Sequence, residues 1–245
     1  MPNSEHHSLW RISEFERLRQ NGAGSALAGL SGPTVLSSTL QAELSVLERR
    51  QQAADALEVF AVCLRLREPV LIYLQCNQRV WPVTLFPAEQ LYHSPRSLLE
   101  NSPYFLAAVE TLEVVPPGVR PPGHAMHERV AQSSLYHPLV PALWRLALEG
   151  PRSALLSEIG GTAAYRILRN PHHDKLPTPG ALAPAVANLR REPAALRKIA
   201  LWPGMSIERG SRLLNALYLT SNLMVTRSYA SAQPEPDAPL PHRRQ

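Results

Sequence analysis

One break near the end of the chain fixes the geometry on both sides of it: Pro203-Gly204, inside the run REPAALRKIALWPGMSIERGSRLLNALYLTSNLMVTRSYA. Proline removes a backbone donor and glycine tolerates turn conformations, so no helix continues through the pair. The spacing predicts a first helix from Pro193 to Leu201, a tight turn, and a second helix capped by Ser206. Arg209 stands where a capping box would carry Glu. Along the second helix Ile207, Gly210, Leu213, Leu214 and Leu217 share one face, and Glu208, Ser211, Arg212 and Asn215 the other. Asn222 is the expected stop, and 223–229 reads as a strand. Helix, turn, helix, strand is the order of a winged helix-turn-helix, assigned here to residues 181–230.

Two functions fit such a unit. As a DNA reader, its second helix would enter the major groove with Ser206, Arg209, Arg212 or Asn215 on base edges, while Arg190, Arg191, Arg197 and Lys198 hold phosphates. As a protein-binding or packing module, its apolar face would be sealed into the rest of the fold. The second is favoured, because Glu208 on the outward face repels phosphate and SAQPEPD follows the strand where a wing needs a basic hairpin and a return strand. The net charge of +5 does not reverse this. Of 25 Lys+Arg only Lys175 and Lys198 are lysine, in a chain rich in Ala, Leu and Pro, so the basic balance follows a compositional bias.

Upstream, residues 1–38 read as a short helix with Trp10, Phe15 and Leu18, then a Gly/Ser-rich flexible joint. Residues 39–113 open with a long amphipathic helix over 39–67, ended before Pro69. Strands follow at 69–75 and 79–86, with a third near 90–92. Pro82 places the second strand at an edge or a bulge. Such an edge would accept a partner strand, and Trp81, Phe86 and Tyr92, with Tyr104, are candidates for a partner surface, although aromatics so placed are more often core. Residues 95–112 read as helix. The segment 114–180 is a connector, VVPPGVRPPG, then two or three short helices and a loop at 170–180. The tail 231–245 carries too little apolar surface to order. The expected fold is α+β and mostly helical: a small antiparallel sheet packed by helices, then a winged-helix-like module.

The strand-turn-strand unit RVWPVTLFPAEQLYHSP, paired with ALRKIALWPGMSIERGSRLLNALYLTSNLMV, resembles the PATAN-type domains attached to bacterial response regulators. Trp81, Phe86, Leu91 and Tyr92 carry the likeness in the first unit, and Gly204, Leu213, Leu214, Leu217 and Leu223 in the second, across residues 40–228. The resemblance implies a small sheet with helices joined to a degenerate winged-helix end, and a role in protein contacts during signalling.

No catalytic pattern competes with this. No serine sits in G-x-S-x-G, and the glycine pairs Gly22/Gly24 and Gly160/Gly161 complete no phosphate-binding loop. His124, His127 and Glu128 are the best candidate metal group, but their order is not that of the zincin or inverted-zincin motifs and they follow a Pro-Gly loop. A solvated loop is expected there, a turn at His172-His173-Asp174 and a mobile end at His6-His7. Cys63 and Cys76 have no metal or disulfide pattern, so buried thiols in a reducing, cytoplasmic setting are expected. Neither a secretory signal nor a membrane-spanning run is read. The expected activity is therefore a non-catalytic regulatory or adaptor role, with no cofactor and a protein partner; the alternative is a DNA-binding transcriptional regulator.

Overall fold

A computed structural model describes residues 9–20, 35–100, 103–169 and 171–227. The expected His6-His7 end, most of the joint at 21–34, the tail 231–245, and the side chains of Leu18, Tyr104, Glu128, His172 and His173 lie outside the described residues. The fold is α+β, with more helix than strand.

The apolar residues after Pro69 make β2 (Val70–Cys76) and β3 (Arg79–Phe86), joined by a tight turn in which Asn77 takes φ 54. β4 (Leu91–His93) pairs with the end of β3, and β6 (Tyr136–Pro138) with β4. β5 (Val109–Val115) flanks β2 on the other side, giving the order β5-β2-β3-β4-β6, and β1 (Trp10–Arg11) adds to the start of β3. All these pairs are antiparallel.

β3 is therefore a central strand with no bulge at Pro82, although Pro82 itself is unpaired on one side. β1 pairs with residues 79–80 of β3, and β4 only from Thr84 onward, so Pro82 falls in a gap on that flank. Ser94 fills the gap, its hydroxyl donating to the Pro82 carbonyl at 3.1 Å and accepting from Trp81 Nε1 at 2.6 Å. The missing N–H thus costs no ladder bond.

Four other expectations need correction. The long helix at 39–67 is two: α2 (Ser38–Arg49) and α3 (Ala56–Leu66), split by a turn with Gln51 at φ 57. Asp55 restarts the chain as N-cap, accepting from the amides of Leu57 and Glu58. The stretch 95–112 is not one helix; a single turn, α4 (Pro103–Leu106), precedes β5, where Val-Glu-Thr-Leu-Glu-Val-Val alternates as a strand. After α5 (Leu139–Glu149) comes β7 (Ala163–Ile167) where a short helix was expected. Finally, α6 (Leu182–Arg191) precedes a shorter first helix, α7 (Leu196–Ala200), with Pro193 outside both.

The second helix, α8 (Ile207–Leu219), and the strand after it, β8 (Leu223–Arg227), stand where the spacing places them. β8 pairs antiparallel with β7, and β7 is bridged on its other side by Ala194, through Tyr165 N–H to Ala194 O at 2.9 Å and the reverse bond at 3.0 Å. The strand between Ala194 and β8 is thus supplied from upstream of α6 rather than by a hairpin downstream.

α3 is buried on every side from Ala56 to Cys63, Glu58 included, so the expected amphipathic face is not seen there. It joins the inner sheet face (Val70, Ile72, Leu74, Trp81, Val83, Leu85), α5 and α8 in one buried cluster running from Leu40 to Leu219. α1 (Ile12–Gln20) covers part of the outer face, with Phe15 against Tyr73 at 4.7 Å between ring centres.

Candidate functional site

Close packing fixes the helix-turn-helix. Gly204 holds φ +73 in the turn, and a Cβ there would stand 2.9 Å from Ala181 Cβ. Gly210 lies against α7, where a Cβ would meet Leu196 Cδ1 at 2.8 Å. Ser206 Oγ accepts from the Arg209 amide at 3.1 Å, so the expected cap is formed.

The face expected to look outward is largely internal. Ser211 and Asn215 are 1% and 0% exposed. Asn215 Oδ1 accepts from the Leu156 amide and its Nδ2 donates to the Ala154 carbonyl, both at 2.9 Å. Arg212 donates Nη1 to the carbonyls of Leu148 (3.1 Å) and Gly150 (2.6 Å), satisfying the C-terminal end of α5, and Nε to Glu208 at 3.0 Å. Ile207, expected on the packed face, is 52% exposed. The cause is packing on two sides, by α5 and by α7, which buries nearly all of α8 from Gly210 onward. Burying Leu213, Leu214 and Leu217 is worth roughly 5–9 kcal/mol together, at about 1.5–3 kcal/mol each.

Of the residues assigned to DNA or partner contact, Ser206, Arg209, Arg190, Arg191 and Arg197 lie at the surface. Arg209 donates to the Gly204 carbonyl at 2.6 Å, and Lys198 pairs with Glu192 at 2.7 Å. Arg212 and Asn215 do not join them. Beside Ser206, Glu208 and Arg209 the turn also presents apolar surface: Leu201 is 85% exposed and Ile207 follows it across Pro203 and Gly204. Beside it an apolar cleft of about 420 Å³ opens between Leu148, Pro179 and Leu182, with Arg209 and Arg212 on its wall.

The candidate partner surface of Trp81, Phe86 and Tyr92 is core, at 2%, 0% and 0% exposure. Tyr92 Oη accepts from the Leu98 amide at 2.8 Å, and Trp81 meets Phe105 edge-on. These rings stabilise the sheet and present nothing to a partner.

The sequence gives no sign of the loop that joins the two halves. Glu58 of α3 is fully buried; its Oε1 accepts from the Ser157 amide and its Oε2 from the Ser157 hydroxyl, both at 2.8 Å. Arg152 pairs with Glu58 at 2.6 Å and also with Asp55. Residues 150–158 are thereby held by α3 on one side and by Arg212 and Asn215 of α8 on the other. A second cluster surrounds Glu158, which accepts from Arg65 Nε at 2.7 Å and from the Tyr218 hydroxyl at 2.5 Å. Burial, then the bond and charge of Glu158, push the Tyr218 hydroxyl well above the usual tyrosine value, so it stays a donor.

His124 Nδ1 accepts from the Met126 amide at 3.1 Å, and His127 opens a short 3-10 turn, His127–Arg129. Among the described residues no group of three His, Cys, Asp or Glu is placed to hold a metal ion. Burial, reinforced by Glu68, pushes the Cys63 thiol up to about 12, and burial raises Cys76 as well. Among the described residues no helix is long and apolar enough to cross a membrane. No family model, curated protein or solved structure matches the chain.

Proposed function

We propose that this chain is a non-catalytic regulatory adaptor that works through contact with another protein. One observation carries the reading: Arg212 and Asn215, half of the base-reading set, are built into the fold, while the exposed end of the helix-turn-helix is apolar at Leu201 and Ile207. An exposed apolar turn held rigidly at both ends suits a protein partner better than a phosphate backbone. Under the same proposal the segment 181–230 is a degenerate winged-helix end to which β7, from outside that segment, adds the missing return strand, in keeping with the PATAN-type resemblance and a role in bacterial signalling. The buried thiols of Cys63 and Cys76, both pushed up by burial, argue against a cysteine nucleophile.

Titration of the full chain with random duplex DNA at low and moderate salt tests the choice. The expected result is weak binding unaffected by Arg209→Ala; steeply salt-dependent binding abolished by Arg209→Ala would establish the DNA-binding alternative. Affinity capture with the wild type and with Leu201→Glu/Ile207→Glu completes the test. A partner retained by the first and lost by the second is expected, and equal retention by both would overturn the assignment of the turn.

A further inference from the structure

We propose that the cleft between α2, α3, α8 and β8 is a binding site for a small molecule carrying a phosphate or carboxylate group. The cleft is an open one of about 370 Å³, a volume within the range of small-molecule sites. Arg50 just past the end of α2, Arg65 of α3 and Arg227 of β8 line it, together with Glu43, Glu158 and Tyr218. The carboxylates are already engaged: Arg65 holds Glu43 at 3.0 Å and Glu158 at 2.7 Å, and the Tyr218 hydroxyl takes the other Glu158 oxygen at 2.5 Å. Because Tyr218 keeps its proton, it adds no negative charge.

Three guanidiniums face two carboxylates, so one positive charge is in excess, and neither Arg50 nor Arg227 is paired with a carboxylate. Arg227 spends one Nη2 bond on the Glu158 backbone carbonyl and keeps its remaining donors. Among the described residues the Arg50 side chain has no hydrogen-bond or ion-pair partner. A guanidinium offers parallel donors that match the two oxygens of a carboxylate or phosphate, and a charge-assisted pair of this kind is stronger than a neutral hydrogen bond. Val46, Leu47 and Val62 also line the cleft and supply an apolar wall for the body of the ligand. The site is separate from the exposed turn, so the proposal does not depend on the partner reading.

The test is a titration of isotope-labelled full-length protein with phenyl phosphate, benzoate and, as the uncharged control, benzyl alcohol, following backbone amide shifts. Saturable shifts at residues 46–50, 157–158 and 227 with either anion, and none with benzyl alcohol, are expected; which anion binds more tightly identifies the group. Arg50→Gln and Arg227→Gln, both at exposed positions, should each weaken binding about tenfold or more. Absence of saturable shifts with both anions at millimolar concentration, equal binding of benzyl alcohol, or unchanged affinity in both variants would overturn the proposal.

Discussion

Removing one partner of the Glu58–Arg152 pair should cost more stability than removing both. Glu58 is 1% and Arg152 10% exposed as side chains, and the carboxylate has no solvent to fall back on. Arg152→Ala leaves a buried charge with only the two Ser157 donors, a loss of about 3–5 kcal/mol. Against the roughly 5–15 kcal/mol of a whole domain this is a large fraction. Glu58→Ala strands the Arg152 guanidinium, although Asp55 still pairs with it, so the cost should fall at the lower end of that range. The double variant Glu58→Leu/Arg152→Met replaces the pair by apolar groups of similar length and should be more stable than either single variant. Urea unfolding followed by circular dichroism gives all three values. Single-variant costs under about 1 kcal/mol, or a double-variant cost equal to the sum of the singles, would refute the claim that this buried pair fastens the loop.

Packing and capping at the helix-turn-helix give two further tests. Gly210→Ala places a methyl against Leu196 and Ile199 and should destabilise by about 1–3 kcal/mol despite alanine's better helix propensity, seen as a lower Tm. Ser206→Ala removes the cap on the Arg209 amide and should cost about 1 kcal/mol in the same assay. Burial, reinforced by Glu68, pushes the Cys63 thiol from the ordinary 9.0 up to about 12, so the folded state holds its proton more tightly than the unfolded chain. Stability should be level below the unfolded value and fall between the two by about 1.4 kcal/mol per pH unit from this group, measured by urea unfolding across that window. In the native protein both cysteines should resist thiol reagents at neutral pH and react once urea unfolds the chain.

The parts legible in the sequence are those set by neighbours along the chain. Ser206 and the leucine spacing mark α8, and the β-branched runs around Asn77 the β2–β3 hairpin, because caps, periodicity and turns are local; the helix stops earlier than the expected Asn222, with Thr220 as its cap and Ser221 in the left-handed conformation. The break at 50–55 was hidden because the apolar spacing of α2 runs on into α3, and only the left-handed Gln51 and the Asp55 cap separate them. β7 was missed because Ala-Ala-Tyr-Arg-Ile has little strand propensity of its own; its partners, β8 and Ala194, lie far along the chain. The same distance misled the reading of Arg212 and Asn215. Their side chains are polar and spaced for solvent, but their partners at residues 148–156 approach only once α5 packs on α8. Trp81, Phe86 and Tyr92 likewise look available on a two-stranded unit and disappear when β4 and the helices close over them.

If α8 is an internal strut fastened by Asn215, Arg212 and three buried leucines, its amides cannot open without the body opening too. Native-state hydrogen exchange at residues 211–219, compared with β2 and β3, measures this directly. Protection equal to that of the central strands, lost only with global unfolding, is the expected result. Exchange of those amides through a cheap local opening, while the sheet stays protected, would mean that the helix can be released and presented, and would contradict the account.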